Sequence, residues 1–128
     1  MKLSENQIIF SINIADLILK ANSMGIGLTF GDAFRPQELQ ILYCYGYSVE
    51  VENDAPKLIK SNKRSQTLVS KHGKRLAVDF NHFLDGILTY DKAVLQELGD
   101  YWESLHPKNR WGGNFKSFLD IPHYEMNL

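Results

Sequence analysis

The chain has 128 residues, a mass of 14.7 kDa and a formal charge of −1, with 14 basic side chains against 15 acidic ones. This length fits one domain, and we predict a single domain over residues 1–128. A charge so close to zero gives no field that would gather nucleic acid or an anionic membrane, so we expect neither as a partner. Hydrophobic residues make up 44% of the sequence, which is enough for a core without disulfides, and Cys44 is the only cysteine.

The first predicted element is a helix that starts near Ser4 and ends near residues 22–25. Ser4 is a candidate N-cap, with Gln7 three residues later as in a capping box. Apolar residues then recur at three- and four-residue intervals, a spacing that defines one apolar face: Ile8, Ile12, Ala15 and Leu19.

A strand over residues 26–34 is predicted next, followed by a second helix. Pro36 suits the first turn of this helix, and Leu39, Leu42 and Tyr43 give it a buried face. The polar residues 48–67 show little periodicity and favour a surface loop or a short helix. The basic cluster within them lacks interleaved aromatic residues and is interpreted as a solvated face.

A β-hairpin is predicted in the second half of the chain. Residues 76–81 and 87–90 have strand character, and Asp85-Gly86 supplies the turn between them. Asp91 then caps a helix that stops before His106-Pro107. The last residues, 111–126, indicate a loop that leads to a short strand.

Two segments carry residues with chemistry. Residues 70–79 contain His72 and Asp79, and residues 120–125 contain His123. A catalytic zinc site needs three protein ligands from His, Cys or carboxylates and a fourth position for water, which two histidines and one aspartate would satisfy. Spacing alone leaves a structural interpretation open, in which His72 is a loop residue, Asp79 a turn carboxylate and His123 a partly buried strand residue.

The first of these segments resembles a known motif. Ser70, His72, Ala77 and Asp79 match in register the Ser-x-His-x-x-Gly-x-Ala-x-Asp motif of the M15 metallopeptidases. This family comprises D-alanyl-D-alanine carboxypeptidases and L-alanyl-D-glutamate endopeptidases and includes many bacteriophage endolysins. Arg75 departs from the motif, because the family usually has glycine at this position.

Three further segments are similar to the same family in order and spacing. Asp120 stands three positions before the last histidine, His123, as the acidic residue of the closing motif does. Arg35 and Gln40 are five residues apart, like the substrate-contacting arginine and glutamine of the family. The run that begins at Trp111 resembles its Trp-Gly-Gly segment, so the resemblance covers most of the chain.

The resemblance implies a role for each matched residue. His72, Asp79 and His123 would bind one Zn²⁺ per chain. Asp120 would act as general base, and Arg35 would stabilise the oxyanion or hold a substrate carboxylate.

Three residues are assigned to substrate binding, and one more is left open. Gln40 and Ser70 would offer hydrogen bonds to the peptide. Trp111 is placed at a cleft wall, with core packing as the other interpretation. Glu125 either orients a ligand histidine or is simply exposed.

The fold implied is α+β, with a small antiparallel sheet that carries the metal site and helices packed against it. The function implied is zinc-dependent hydrolysis of peptidoglycan stem peptides, and an endolysin-type L-alanyl-D-glutamate endopeptidase is favoured. The alternatives are a D-alanyl-D-alanine carboxypeptidase and a non-catalytic phage structural or wall-binding module that keeps the zinc fold.

The sequence also leads to expectations about location. Residues 1–7 do not show the basic and apolar regions of a secretory signal peptide. No stretch reaches the roughly 18 apolar residues that cross a bilayer. We therefore expect a protein that is made in the cytoplasm, does not insert into membranes, and acts on the cell wall after release, as a phage or prophage product would. We also expect it to be a monomer.

Overall fold

The computed structural model describes residues 1–62 and 65–128. The helices are α1 (Leu3–Ser23), α2 (Gln37–Tyr45) and α3 (Lys92–Ser104), and a short 3₁₀ helix covers Gly112–Asn114. The strands are β1 (Ile26–Phe30), β2 (Tyr47–Glu52), β3 (Ala55–Lys60), β4 (Ala77–Leu84), β5 (Ile87–Thr89), β6 (Asn109–Trp111) and β7 (His123–Met126). The α+β class predicted from the sequence is confirmed.

The main sheet is built around β4. Its strands lie in the order β1-β4-β7-β6 with antiparallel neighbours, and β5 also pairs with β4. β4 and β5 form the predicted hairpin, and the turn residues Asp85 and Gly86 have φ angles of 51° and 75°. Positive φ at both positions is typical of a two-residue type I′ turn, which explains the Asp-Gly sequence. β4 is thus held by partners along both of its edges.

The core lies between this sheet and the helices α1 and α3. Alternate residues of the strands point into it, and α1 and α3 contribute Leu17 and Trp102, which have no exposed surface. The Phe10 ring of α1 meets the Trp102 ring edge to face, with centroids 5.6 Å apart. α3 begins as predicted, because the Asp91 carboxylate accepts a hydrogen bond of 3.0 Å from the Ala93 N–H. Within the described residues, no helix combines the length and the apolar character needed to cross a bilayer.

The face predicted to be apolar in α1 is not the face that packs on the core. Ile8, Ile12 and Leu19 are 60%, 57% and 68% exposed, whereas Phe10 and Leu17 are buried. Apolar residues lie around much of the circumference of this helix, so it has two apolar faces, either of which could pack on the core. Periodicity alone cannot choose between them, since the choice depends on where the sheet lies.

Residues 47–60 form a second, two-stranded sheet, so the loop or short helix predicted for 48–67 is wrong there. β2 and β3 pair in antiparallel register from Tyr47↔Lys60 to Glu52↔Ala55. The strand signal is weak because charged residues and Pro56 interrupt it, although an edge strand accepts proline. Lys63 and Arg64 of the basic cluster lie outside the described residues.

Several predicted boundaries also differ from the structure. α1 begins at Leu3, so Ser4 lies inside the helix and Lys2 takes the N-cap position. β1 ends at Phe30 and does not continue to residue 34. The strand β6 was not predicted, because three residues carry too little periodicity to be detected.

Candidate metal centre

Three pieces of backbone bring His72, Asp79 and His123 to one place. His72 lies in the turn before β4, Asp79 lies in β4, and His123 is the first residue of β7. Asp79 and His123 are direct partners in the β4–β7 ladder, so their side chains emerge side by side. Val78 and Phe80 are buried in the core, and strand alternation therefore turns Asp79 to the opposite face.

The backbone around Asp79 is held by the segment that follows β1. The Asp79 N–H donates to the Asp32 carbonyl at 2.7 Å, and the Gly31 N–H donates to the Asp79 carbonyl at 2.8 Å. A Cβ at Gly31 would lie only 3.2 Å from the Asp79 Cβ, so glycine permits this close approach. The same segment reaches the His72 turn, since the Arg35 N–H donates to the His72 carbonyl at 3.3 Å.

The spacing of the three side chains fits a zinc ion. Each offers one ligand atom, and these atoms all lie within 4.8 Å of one another. Asp79 Oδ1 is 3.1 Å from His123 Nδ1 and 3.4 Å from His72 Nε2. Tetrahedral zinc with ligand bonds of about 2.0–2.1 Å places its ligand atoms about 3.3 Å apart. The donor set and its spacing therefore suit this metal.

Hydrogen bonds select which nitrogen of each histidine faces the centre. His72 Nδ1 lies 3.1 Å from the Ala33 carbonyl, which can only accept, so Nδ1 carries the hydrogen and Nε2 is left as the ligand atom. His123 Nε2 lies 2.8 Å from Glu125 Oε2, which leaves Nδ1 towards Asp79. A metal-ligating histidine commonly donates its other N–H in this way.

The electrostatics of the centre favour a positive charge. Burial opposes ionisation of Asp79, but its hydrogen bonds with His123 and His72 outweigh this and hold the pKa of Asp79 well below its usual range. Burial likewise lowers the pKa of His123, yet hydrogen bonds to Asp79 and Glu125 outweigh it and raise the pKa to about 9. The Asp79 carboxylate thus stays ionised beside the two histidines, and a centre of this kind suits a cation.

The sequence from residue 63 to residue 126, half of the chain, matches a family model of the M15 peptidases described as D-alanyl-D-alanine carboxypeptidase. The matched segment contains His72, Asp79 and His123. The chain belongs to the M15 peptidase family. The resemblance predicted from the motifs is confirmed.

The whole fold is similar to a solved structure as well. That structure is the crystal structure of the Serratia marcescens L-Ala D-Glu endopeptidase ChiX, with a TM-score of 0.64 and 17% sequence identity. The similarity covers 99% of this chain and 87% of the other. At this identity it establishes a shared M15 fold. Comparison with curated proteins gave no match.

Asp120 lies beside the three candidate ligands of this M15 peptidase. The His123 N–H donates to the Asp120 carbonyl at 3.0 Å, which closes a turn before β7 and interrupts the strand alternation. Both side chains can therefore face the centre, and Asp120 Oδ2 lies 3.9 Å from His123 Nδ1. Gly112 supports the turn closely, since a Cβ there would lie 2.0 Å from the Asp120 carbonyl oxygen. Burial raises the pKa of the Asp120 carboxyl above its ordinary value, although His123 opposes this.

Arg35 is held by two polar neighbours at the edge of the centre. Its Nη1 donates to Gln40 Oε1 at 2.9 Å and its Nη2 donates to Asp32 Oδ2 at 2.7 Å. The guanidinium carbon also lies 4.8 Å from the centroid of the Tyr43 ring. Gln40 is only 2% exposed, and its amide donates to the Thr67 carbonyl at 2.6 Å. The structure thus places Gln40 behind Arg35 as a support for it, and Gln40 does not line the cleft, as the predicted hydrogen bond to the peptide would require.

A cleft of about 700 Å³ opens over the three candidate ligands. Arg35, Ser70 and Asp120 line it, together with apolar side chains such as Phe118. Trp111 does not line this cleft; it is fully buried, and its indole N–H donates to the Ile121 carbonyl at 2.8 Å. We therefore correct the predicted cleft wall at Trp111 to core packing, the interpretation that the sequence also allowed.

The sequence left the role of Glu125 open and gave no role to Arg110, and the structure places both next to His123 or its contacts. Glu125 is 5% exposed and contacts His123, a position that the strand period supports because residues two apart share a face. Arg110 contacts Glu125 from β6. No sequence signal identified Arg110, since β6 was not predicted and the β6–β7 register cannot be derived from one sequence.

Proposed function

We propose that this M15 peptidase hydrolyses peptidoglycan stem peptides, with one zinc ion held by His72, Asp79 and His123. The observation that carries the proposal is a set of three ligands in an open cleft, with a further carboxylate, Asp120, beside them. A structural zinc site is closed by four protein ligands, whereas a catalytic one keeps a position for water. The arrangement favours catalysis over a purely structural metal.

The chemistry follows from where Asp120 lies. A bound zinc ion polarises a peptide carbonyl and makes a neighbouring water molecule more acidic. The Asp120 side chain is 40% exposed in the cleft, so it can take the proton from that water and later return one to the leaving amine. Its raised pKa moves the carboxyl towards the working pH of a general base.

Arg35 and Ser70 are suited to bind the substrate. The guanidinium of Arg35 is always charged, and Gln40 and Asp32 fix its orientation, so it can stabilise negative charge that develops on the peptide oxygen. Ser70 Oγ accepts from the His72 N–H at 3.2 Å, which leaves its own O–H free to donate to a substrate carbonyl.

We favour cleavage of the bond between L-alanine and D-glutamate. The similarity to an L-Ala D-Glu endopeptidase extends over nearly the whole chain and supports this choice. The description of the matched family names a different bond, that of D-alanyl-D-alanine. Removal of a terminal D-alanine is therefore the second candidate reaction. An endolysin role, with release to the cell wall from a phage or prophage, is part of the proposal.

The direct test is the identity of the products. The protein with zinc is incubated with purified peptidoglycan and with a free stem peptide, and the fragments are identified by mass spectrometry. We expect a fragment with a new amino-terminal D-glutamate. Release of D-alanine would instead identify a carboxypeptidase. Intact stem peptides in the presence of zinc-loaded protein would contradict the peptidase function and favour a wall-binding module.

A substitution separates the general base from the metal ligands. Asp120→Ala should lower kcat by about 10²–10⁴-fold, the range of general acid–base catalysis, and should keep one zinc per chain. His123→Ala is the matched control and should lose both the metal and the activity. Metal content is measured by elemental analysis after gel filtration. Loss of zinc from Asp120→Ala would show that Asp120 is a ligand.

A further inference from the structure

We propose that Arg110 and Glu125 act together as a clamp that positions His123 for the metal, with Arg110 acting through Glu125. The inference rests on the zinc site of the proposed function. Arg110 lines a neighbouring cavity of about 580 Å³, which shares Phe115, Phe118 and Glu125 with the cleft over the ligands, but Arg110 itself does not line that cleft. It is therefore a positioning residue, without a contact to the reacting atoms.

The clamp uses the two oxygens of Glu125 for two different partners. Oε2 lies 2.8 Å from His123 Nε2, and Oε1 accepts from Arg110 Nε at 3.0 Å. Arg110 Nη2 contacts the same Oε1. Arg110 and Glu125 are direct partners in the β6–β7 ladder, so the backbone holds this pairing in place. The Glu125 side chain is 7% exposed, and a carboxylate so buried requires such partners.

The contact with Glu125 determines which ring nitrogen of His123 faces the metal site. A carboxylate accepts hydrogen bonds, so His123 Nε2 keeps a hydrogen, and Nδ1 is then the nitrogen that loses its hydrogen and offers a lone pair when a metal binds. That atom lies 3.1 Å from Asp79 Oδ1, on the side of the other ligands. Without Glu125, the ring can adopt the other tautomer or turn about χ2, and either change removes a ligand atom.

Arg110 supports this arrangement in a second way. Its guanidinium carbon lies 5.4 Å from the centroid of the Phe115 ring, and the same ring lies 5.9 Å from the His123 ring. Phe115 thus lies next to both Arg110 and His123. The Arg110 side chain is about half exposed while Glu125 is buried, so Arg110 joins the outer surface to the buried carboxylate.

The test measures zinc affinity separately from folding. Dissociation constants are determined by competition with a chromophoric chelator for the wild type, Glu125→Gln and Arg110→Met. Metal-free stability is measured by urea unfolding of the same proteins. We expect Glu125→Gln to weaken zinc binding by about 10–100-fold, as for other partners of ligand histidines. Arg110→Met should weaken it less, and Arg110→Lys should restore part of the loss.

The double variant shows whether Arg110 acts through Glu125. If it does, Arg110→Met adds little to the loss of zinc affinity once Glu125→Gln is present. Lys57→Met is the matched control, because it removes another ion pair, the 2.7 Å contact to Glu52, on the hairpin of β2 and β3. Its zinc affinity should equal that of the wild type. Should Glu125→Gln fail to fold, Arg110→Met and Arg110→Lys give the same test.

The outcomes distinguish this inference from the proposed function. Wild-type zinc affinity in both Arg110→Met and Glu125→Gln, with lowered metal-free stability, would overturn the clamp and leave a structural ion pair. Additive losses in the double variant would overturn the action of Arg110 through Glu125. A wild type that binds zinc but cleaves no stem peptide would contradict the peptidase function alone. A wild type that binds no zinc would overturn both.

Discussion

Arg75 adopts a left-handed backbone conformation with φ of 56°. This conformation brings the Cβ of an L-residue close to the following carbonyl, whereas glycine adopts it freely. The M15 motif usually has glycine at this position, and the backbone angle supplies a physical reason. The Arg75 guanidinium lies 4.1 Å from the Phe34 ring centroid, and Arg75 is not among the residues that line the cleft. The substitution thus leaves the cleft open.

Replacing Arg75 separates backbone strain from the contact with Phe34. Both Arg75→Gly and Arg75→Ala remove the stacked guanidinium, but only glycine relieves the left-handed strain. The relief of strain, about 1–2 kcal/mol, is partly offset because glycine has more conformational entropy in the unfolded chain. We therefore expect Arg75→Gly to exceed Arg75→Ala in stability by about 0.5–1 kcal/mol. Urea unfolding of the two variants measures this difference. Equal stabilities would show that the strain at residue 75 is relieved elsewhere.

The candidate ligands could be named from the sequence because motif order carries the information. His72, Asp79 and His123 come together in the structure, as the match to the motifs predicted. The turn that allows Asp120 to face the same centre could not be derived from the sequence, since the hydrogen bond from the His123 N–H to the Asp120 carbonyl is a property of the folded backbone. The role of Arg110 could not be predicted, because a contact between neighbouring strands can be derived only when the register of those strands is known.

Helix α1 presents two apolar faces, and only one of them is buried. Leu17 has no exposed surface, while Ile12 on the other face is 57% exposed. The sequence could give the helix and its approximate length, but the direction of its buried face depends on the position of the sheet. β2 and β3 show the same limit, because their register arises from pairing with each other and not from a strong strand pattern.

The two faces of α1 should respond differently to truncation. Leu17→Ala is expected to lower the free energy of unfolding by about 2–5 kcal/mol, since it leaves a cavity in the core. Ile12→Ala removes a similar side chain from an exposed position and should change it by no more than about 0.5 kcal/mol. The comparison by urea unfolding uses metal-free protein. A large loss in Ile12→Ala would indicate that the outer face is covered in solution.

In the whole molecule, the candidate metal centre and the hydrophobic core lie on opposite faces of one sheet. On β4 and β7, Asp79, His123 and Glu125 face the cleft, while their neighbours Phe80 and Tyr124 face the core. The Tyr124 ring lies over a set of aromatic side chains, including Trp102 at a centroid distance of 5.9 Å. Close packing beneath the strands restricts their movement, and this restriction keeps the candidate ligands on the other face at fixed spacing.

A buried histidine lies on the core side of this sheet. His82 of β4 is fully buried, and its Nε2 lies 2.7 Å from the Tyr124 hydroxyl oxygen. Among the described residues, its Nδ1 has no hydrogen-bond partner. Burial lowers the pKa of His82 from 6.5 to about 4, because the charged ring would lose its hydration. The folded protein therefore keeps this histidine neutral.

Stability should consequently fall with pH on the acid side. Between the unfolded pKa of 6.5 and the folded pKa of about 4, the unfolded chain binds a proton that the folded chain does not. The free energy of unfolding then decreases as the pH falls through this window, by up to about 3 kcal/mol in total. Above pH 6.5 the histidine is neutral in both states and contributes no pH dependence.

A non-titrating variant isolates this contribution. Urea unfolding of the wild type and of His82→Leu is compared from pH 4.5 to 7.5, with a chelator present in both. Asp79 and His123 titrate in both proteins, so their effects cancel in the difference between the two curves. We expect the wild type to lose stability relative to His82→Leu by about 1 kcal/mol per pH unit below pH 6. Parallel curves would show that His82 accepts its proton equally well in the folded and unfolded states; should His82→Leu fail to fold, His82→Gln replaces it.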